Sequence, residues 1–128
     1  MKEVMIVEDE AWLGELYQSM LHKAGYAVRW CRDNYDAIAA LDERQPHLIV
    51  LDVLLPWTNG IQLLHEMNSY SDLMHIPVIM CTTVQLPNAL SAQQLRPYGV
   101  VAVLDKTTMR PRDLLTAVKE ALHANVSH

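Results

Sequence analysis

The sequence predicts an α/β domain in which five parallel strands form one sheet and five helices cover both of its faces. The main observation is that short apolar runs alternate with amphipathic stretches along the whole chain, which is typical of parallel sheets. The 128 residues are the length of one domain, and 51% are hydrophobic, which is enough to form a core. We expect the domain to span residues 1–124 and a tail to follow at residues 125–128.

Apolar runs identify the strands. The run Leu48–Leu51 is the clearest, because it is apolar at every position, as expected of a central strand that is buried on both faces. The five strands are predicted at Val4–Val7, Ala27–Cys31, Leu48–Leu51, Pro77–Cys81 and Val100–Leu104.

Apolar residues at helical spacing predict a helix after each strand. Gly25 ends the first helix and Pro46 follows the second. The last helix has Thr107 or Thr108 as its candidate N-cap and Pro111 in its first turn. The helices are predicted around Leu13–Ala24, Ala37–Leu41, Ile61–Met67, Pro87–Gln94, which has the weakest pattern, and Leu114–Leu122.

Composition and charge argue against several classes of protein. The net charge is −5 and the basic residues are dispersed, whereas a nucleic-acid binder has a clustered basic surface. No apolar run approaches the roughly 20 residues of a membrane span, and the N-terminus lacks the pattern of a signal peptide. We therefore expect a cytoplasmic protein that contacts neither nucleic acid nor membrane directly.

Polar residues stand where the predicted strands end. Glu8 and Asp9 follow the first strand, Asp52 the third, Thr82 the fourth and Lys106 the fifth. In an open parallel sheet, ligands bind at the carboxyl ends of the strands, near the point where the strand order reverses. We therefore expect all five side chains to meet in one pocket.

These residue types suit a particular chemistry. Three carboxylates in one pocket repel one another unless a cation neutralises them, and a few carboxylates with water suit Mg²⁺. A carboxylate beside Mg²⁺ can act as a nucleophile toward phosphorus and form an aspartyl phosphate. Lys106 and the hydroxyl of Thr82 could then stabilise the phosphoryl oxygens.

The chain resembles the receiver domains of response regulators in bacterial two-component systems over nearly its whole length. Each motif is weak alone, but together and in this order they are specific. The resemblance implies a flavodoxin-like, doubly wound sheet with strand order 2-1-3-4-5. The motifs are Val7–Glu10, Leu51–Pro56 with Gly60, Ile79–Thr83 and Leu104–Lys106.

The resemblance also implies roles for the residues of the pocket. Asp52 is the expected phosphoacceptor and, with Asp9, a direct ligand of Mg²⁺. Glu8 holds the metal mostly through water, and the backbone carbonyl of Leu54 completes the protein ligands. No further cofactor is implied.

In the same family, Lys106 contacts the phosphoryl group and Thr82 moves toward it as the switch. The implied function is phosphorelay signalling, with a sensor histidine kinase or phosphotransfer protein as the donor. The domain is then a switch that controls a target or output domain, rather than an enzyme. The kinase and the target are not identified by the sequence, and a phosphorylation-dependent homodimer is left open.

Two positions depart from the family pattern, which usually has Pro after the lysine and often an aromatic residue three positions before it. Here Thr107 follows Lys106 and Val103 stands at the aromatic position. Both favour, slightly, an alternative function as a pseudo-receiver, which keeps the fold as a binding module without being phosphorylated.

Two rivals of other classes fit less well. An aspartate-nucleophile phosphohydrolase needs a second Asp where Leu54 stands. A dinucleotide-binding protein needs a glycine-rich loop after the first strand.

Trp30, at the end of the second strand, is interpreted as a packing residue.

Overall fold

A computed structural model describes residues 1–53, 61–70, 72–73, 75–82 and 95–123. The predicted helix at Pro87–Gln94 and the predicted tail lie outside these residues. No helix in the described ranges is long and apolar enough to cross a membrane. The strands are β1 (Glu3–Val7), β2 (Ala27–Cys31), β3 (Leu48–Val53), β4 (Val78–Thr82) and β5 (Val100–Asp105). The helices are α1 (Ala11–Lys23), α2 (Asn34–Glu43), α3 (Ile61–Asn68) and α4 (Pro111–His123), with a 3₁₀ turn at Arg96–Tyr98.

The five strands form one sheet in the order β2-β1-β3-β4-β5, and every neighbouring pair is parallel. This confirms the expected fold and strand order. The order reverses at β1, which lies between β2 and β3. The carboxyl ends of β1 and β3 therefore meet at the switch point, where a ligand site is expected.

The side chains of each strand alternate between two hydrophobic cores, because successive residues of a strand point to opposite faces. In β3, Leu48 and Val50 belong to the core beneath α1 and α4, whereas Ile49 and Leu51 belong to the core beneath α2 and α3. The described helices therefore cover both faces of the sheet, two on each, as the sequence predicts.

The ends of the helices are fixed by local chemistry. Gly25 follows α1 with a φ of 99°, a backbone conformation that favours glycine. The predicted caps of the last helix are wrong, because the hydroxyls of Thr107 and Thr108 both donate to Asp105. The carboxylate of Asp113 instead accepts a hydrogen bond from the backbone N–H of Arg110, which precedes the helix.

A charged cluster lies at the opposite end of the sheet from the predicted site. Glu3 Oε2 is 3.0 Å from Nε of Arg29 and 2.8 Å from Nη2 of Arg44. Arg29 also donates to the carbonyl oxygens of Ala40 and Arg44, at the end of α2. Burial raises the pKa of Glu3, but the hydrogen bond from Arg44 and the charges of both arginines outweigh burial and lower it. The cluster thus ties β1 and β2 to α2.

We expect Glu3→Gln to lower the free energy of unfolding by about 1 kcal/mol at a pH of about 7. Because the folded-state pKa lies below the ordinary value of 4.5, ionised Glu3 stabilises the fold above that pH, and the contribution is lost as the pH falls below it. Urea unfolding should therefore show a smaller difference from the unsubstituted protein at a pH of about 3.5. Glu120→Gln, at an exposed position of α4, is the control. An equal loss at both pH values would count against this role.

Candidate functional site

The predicted site residues lie at the carboxyl edge of the sheet. Asp52 pairs with Cys81 across β3 and β4, and Thr82 pairs with Asp105 across β4 and β5. Asp52 and Thr82 lie within their strands, because β3 runs two residues and β4 one residue beyond the predicted apolar run. Their backbones are therefore held by the sheet.

Lys106 joins two acidic residues that are far apart in the sequence. Its Nζ donates to Oδ1 of Asp52 at 2.7 Å and lies 3.5 Å from Oε1 of Glu8. The side chain of Asp52 is 3% exposed and that of Glu8 is fully buried. The structure thus brings together two of the predicted carboxylates and the predicted lysine.

The ionisation of these groups reflects their burial and proximity. Burial, and then the proximity of the Asp52 carboxylate, raise the pKa of Glu8 well above its usual range. Burial lowers the pKa of Lys106, but its hydrogen bond to Asp52 and the charges of Asp52 and Glu8 outweigh burial and raise it. The ammonium group therefore balances the negative charge that the acidic pair carries.

Two buried carboxylate oxygens of the site remain able to accept a hydrogen bond or to bind a cation. Neither Oδ2 of Asp52 nor Oε1 of Glu8 has a hydrogen-bond partner among the described residues. Buried acceptors without a partner are destabilising, and carboxylate oxygens are preferred ligands of hard divalent cations. The donor set therefore fits a cation such as Mg²⁺.

The other predicted metal ligands are placed differently. Asp9 is exposed and lines the same open cleft as Glu8 and Asp52. Within the described ranges, no group of three or more His, Cys, Asp or Glu side chains is arranged to hold a metal ion. Leu54 lies outside the described residues.

The loop that carries Lys106 is fixed to β4. The backbone N–H of Lys106 donates to the carbonyl oxygen of Thr82 at 2.8 Å, and the side chain of Thr82 is buried. Thr107 donates its N–H and its hydroxyl to the carboxylate of Asp105. No cis peptide bond occurs in the described part of the chain. Val103 is partly buried and packs against the core beneath α2 and α3.

Two residues of this site were not anticipated as functional. The indole Nε1 of Trp30 donates to the carbonyl oxygen of Glu8, and Nη2 of Arg32 lies 3.4 Å from the carbonyl oxygen of Asp9. The predicted packing role of Trp30 is therefore incomplete. A tryptophan at the end of an edge strand is a weak signal in the sequence, since a partly buried indole N–H usually has a partner.

The fold and the site together define a class of protein: an open α/β domain with a buried, lysine-neutralised acidic pair at the switch point of its sheet. The family model described as "Response regulator receiver domain" matches residues 4–119. The chain belongs to this family and is therefore a receiver domain of two-component phosphorelay signalling.

Individual relatives agree with this assignment. The polar-differentiation response regulator DivK of Brucella anthropi is 30% identical over 115 residues, which are 90% of this chain and 92% of that protein. The structure of the signal receiver domain of a signal transduction histidine kinase from Syntrophus aciditrophicus is 27% identical, with a TM-score of 0.80, and the match covers 100% of this chain and 94% of that one. The chemotaxis response regulator CheY4 of Vibrio cholerae is 25% identical, with a TM-score of 0.81, and the match covers 95% of this chain and 99% of that one.

Proposed function

We propose that Asp52 accepts a phosphoryl group from a phosphohistidine of a sensor histidine kinase or a phosphotransfer protein, in a reaction that requires Mg²⁺. One observation carries the proposal. The carboxylate of Asp52 is buried at the switch point, bonded to Lys106 through one oxygen at 2.7 Å, while its other oxygen has no hydrogen-bond partner among the described residues. This combination suits a carboxylate nucleophile.

The chain's own residues have distinct parts in the transfer. One carboxylate oxygen of Asp52 forms the bond to phosphorus as the phosphorus–nitrogen bond breaks, and its electron pair remains with the imidazole. Bound Mg²⁺ supplies charge neutralisation at the phosphoryl oxygens. Asp9, Asp52 and the carbonyl of Leu54 would hold it directly, and Glu8 would do so through water. The ammonium of Lys106 donates to a phosphoryl oxygen and stabilises the charge there.

Thr82 is the proposed switch. Its hydroxyl moves toward the phosphoryl group, and because its carbonyl accepts from the N–H of Lys106, the same backbone segment supports both groups. Residues 83–94 follow directly and transmit the change to a target or output domain by a shift of population. With Val103 in place of an aromatic residue, we propose that output relies on this segment. A homodimer of phosphorylated chains is one form of output.

The remaining features of the proposal concern the whole chain. We propose that residues 1–124 form the receiver domain, that the domain is a phosphoacceptor and not an enzyme with external substrates, and that it acts in the cytoplasm. The dispersed basic residues and the net charge of −5 support control of a protein target rather than direct contact with nucleic acid.

Phosphorylation with acetyl phosphate tests the proposal. Incubated with Mg²⁺, the protein should gain a single phosphoryl group by intact mass, and EDTA should abolish the gain. The absence of an adduct in folded protein would favour the pseudo-receiver, and the Lys106–Thr107 segment would then be the first place to look for the cause.

A further inference from the structure

Trp30 holds the backbone of the acidic turn Glu8–Glu10. Its Nε1 donates to the carbonyl oxygen of Glu8 at 2.9 Å, across 22 positions of sequence. The N–H of Glu8 donates to the carbonyl oxygen of Cys31, also at 2.9 Å. Both backbone polar groups of Glu8 are therefore bonded to the end of β2, a strand that supplies no ligand to the site.

The indole ring is itself fixed by its surroundings. It lies against Gly14 on the buried face of α1, where any Cβ would collide with the ring. The guanidinium of Arg32 lies 5.5 Å from the ring centroid, within the range of a cation–π contact. The same guanidinium reaches the carbonyl oxygen of Asp9. Gly14 thus provides the space for the indole, and Arg32 links it to the next residue of the turn.

We propose that Trp30 is a positioning residue for the acidic site: its indole N–H fixes the peptide that carries Glu8 and Asp9, so that their carboxylates face Asp52 in the geometry that binds a divalent cation. This inference rests on the proposed function for its purpose. Groups that orient metal ligands without touching the metal commonly change affinity when they are removed.

The side-chain contacts of Glu8 depend on the hydrogen bond that Trp30 donates to its carbonyl oxygen. One carboxylate oxygen of Glu8 accepts from the N–H of Glu10 at 2.9 Å, and the other faces Lys106 at 3.5 Å. A peptide free to rotate at Glu8 would move both contacts together. Loss of the indole hydrogen bond should therefore alter the site without removing any of its ligands.

The test compares Trp30→Phe with Trp12→Phe. Both substitutions remove an indole N–H and keep an aromatic ring, but Trp12 is 63% exposed and donates to the side chain of Glu10 rather than to the backbone. Calorimetric titration with Mg²⁺ should show affinity about tenfold weaker in Trp30→Phe and unchanged in Trp12→Phe. Hydrogen exchange of the metal-free proteins should be faster at the amide of Glu10 in Trp30→Phe only, with similar urea midpoints.

A second variant, Gly14→Ala, tests the same proposal if Trp30→Phe does not fold. Gly14→Ala keeps the indole but displaces it, and it should weaken Mg²⁺ binding and speed exchange in the same direction. Affinity and exchange like those of the unsubstituted protein, in either folded variant, would overturn the role of Trp30. Acetyl phosphate separates this result from the proposed function: if the unsubstituted protein takes no phosphoryl group while the variants still loosen the turn, the proposed function fails and the positioning role stands.

Discussion

Asp52→Asn should take up no phosphoryl group from acetyl phosphate, under conditions in which the unsubstituted protein is modified. An amide oxygen is a poor nucleophile and carries no charge for a cation, so both contributions of the carboxylate are lost at once. The variant should remain folded, because the amide oxygen can still accept the hydrogen bond from Lys106. Intact mass measures the adduct, and a circular dichroism spectrum shows that the variant is folded.

Asp42→Asn is the matched control for this experiment. Asp42 is an exposed carboxylate on α2, so its replacement by the amide should leave the adduct unchanged. If Asp52→Asn carried the adduct at the occupancy of the unsubstituted protein, the nucleophile would have to lie elsewhere in the chain.

Lys106→Met should lower the free energy of unfolding by about 3 kcal/mol in EDTA. The substitution keeps a long apolar side chain but removes the ammonium that lies 2.7 Å from Asp52 and 3.5 Å from Glu8. Two buried carboxyl groups then face each other without a neutralising cation. Because Mg²⁺ can supply that charge, we expect the metal to stabilise Lys106→Met more than it stabilises the unsubstituted protein.

Urea unfolding in EDTA and in Mg²⁺ measures this effect. Lys119→Met, the same substitution at an exposed position of α4, should change stability little in either condition. Equal stability of Lys106→Met and the unsubstituted protein in EDTA would show that the lysine does not neutralise the acidic pair.

The fold could be predicted because its signals are local and repeated. Each apolar run specifies a strand, and the parallel sheet then places the strand ends at one edge. That step predicts that Asp52 and Lys106, 54 positions apart, come together, and the structure confirms it. The limits of β3 and β4 were less predictable, because Asp52 and Thr82 are polar residues that nevertheless take part in the ladder.

The details of the site depended on side-chain geometry that no periodicity encodes. Lys106 reaches Glu8 as well as Asp52, and this follows from its rotamer rather than from its position in the sequence. The anchor of Trp30 on the carbonyl of Glu8 joins a side chain to a backbone atom, and backbone acceptors have no signature in a sequence. Asp9 lines the same cleft as Glu8 and Asp52, and its role as a metal ligand stays a prediction.

The most direct test of the central claim is to locate the phosphoryl group itself. The protein is phosphorylated with acetyl phosphate and Mg²⁺, the acyl phosphate is reduced with borohydride, and the resulting peptides are sequenced by mass spectrometry. We predict that the reduced residue is Asp52 and that no other carboxylate is modified. Reduction at Asp9 or at another carboxylate, with Asp52 unchanged, would contradict the account.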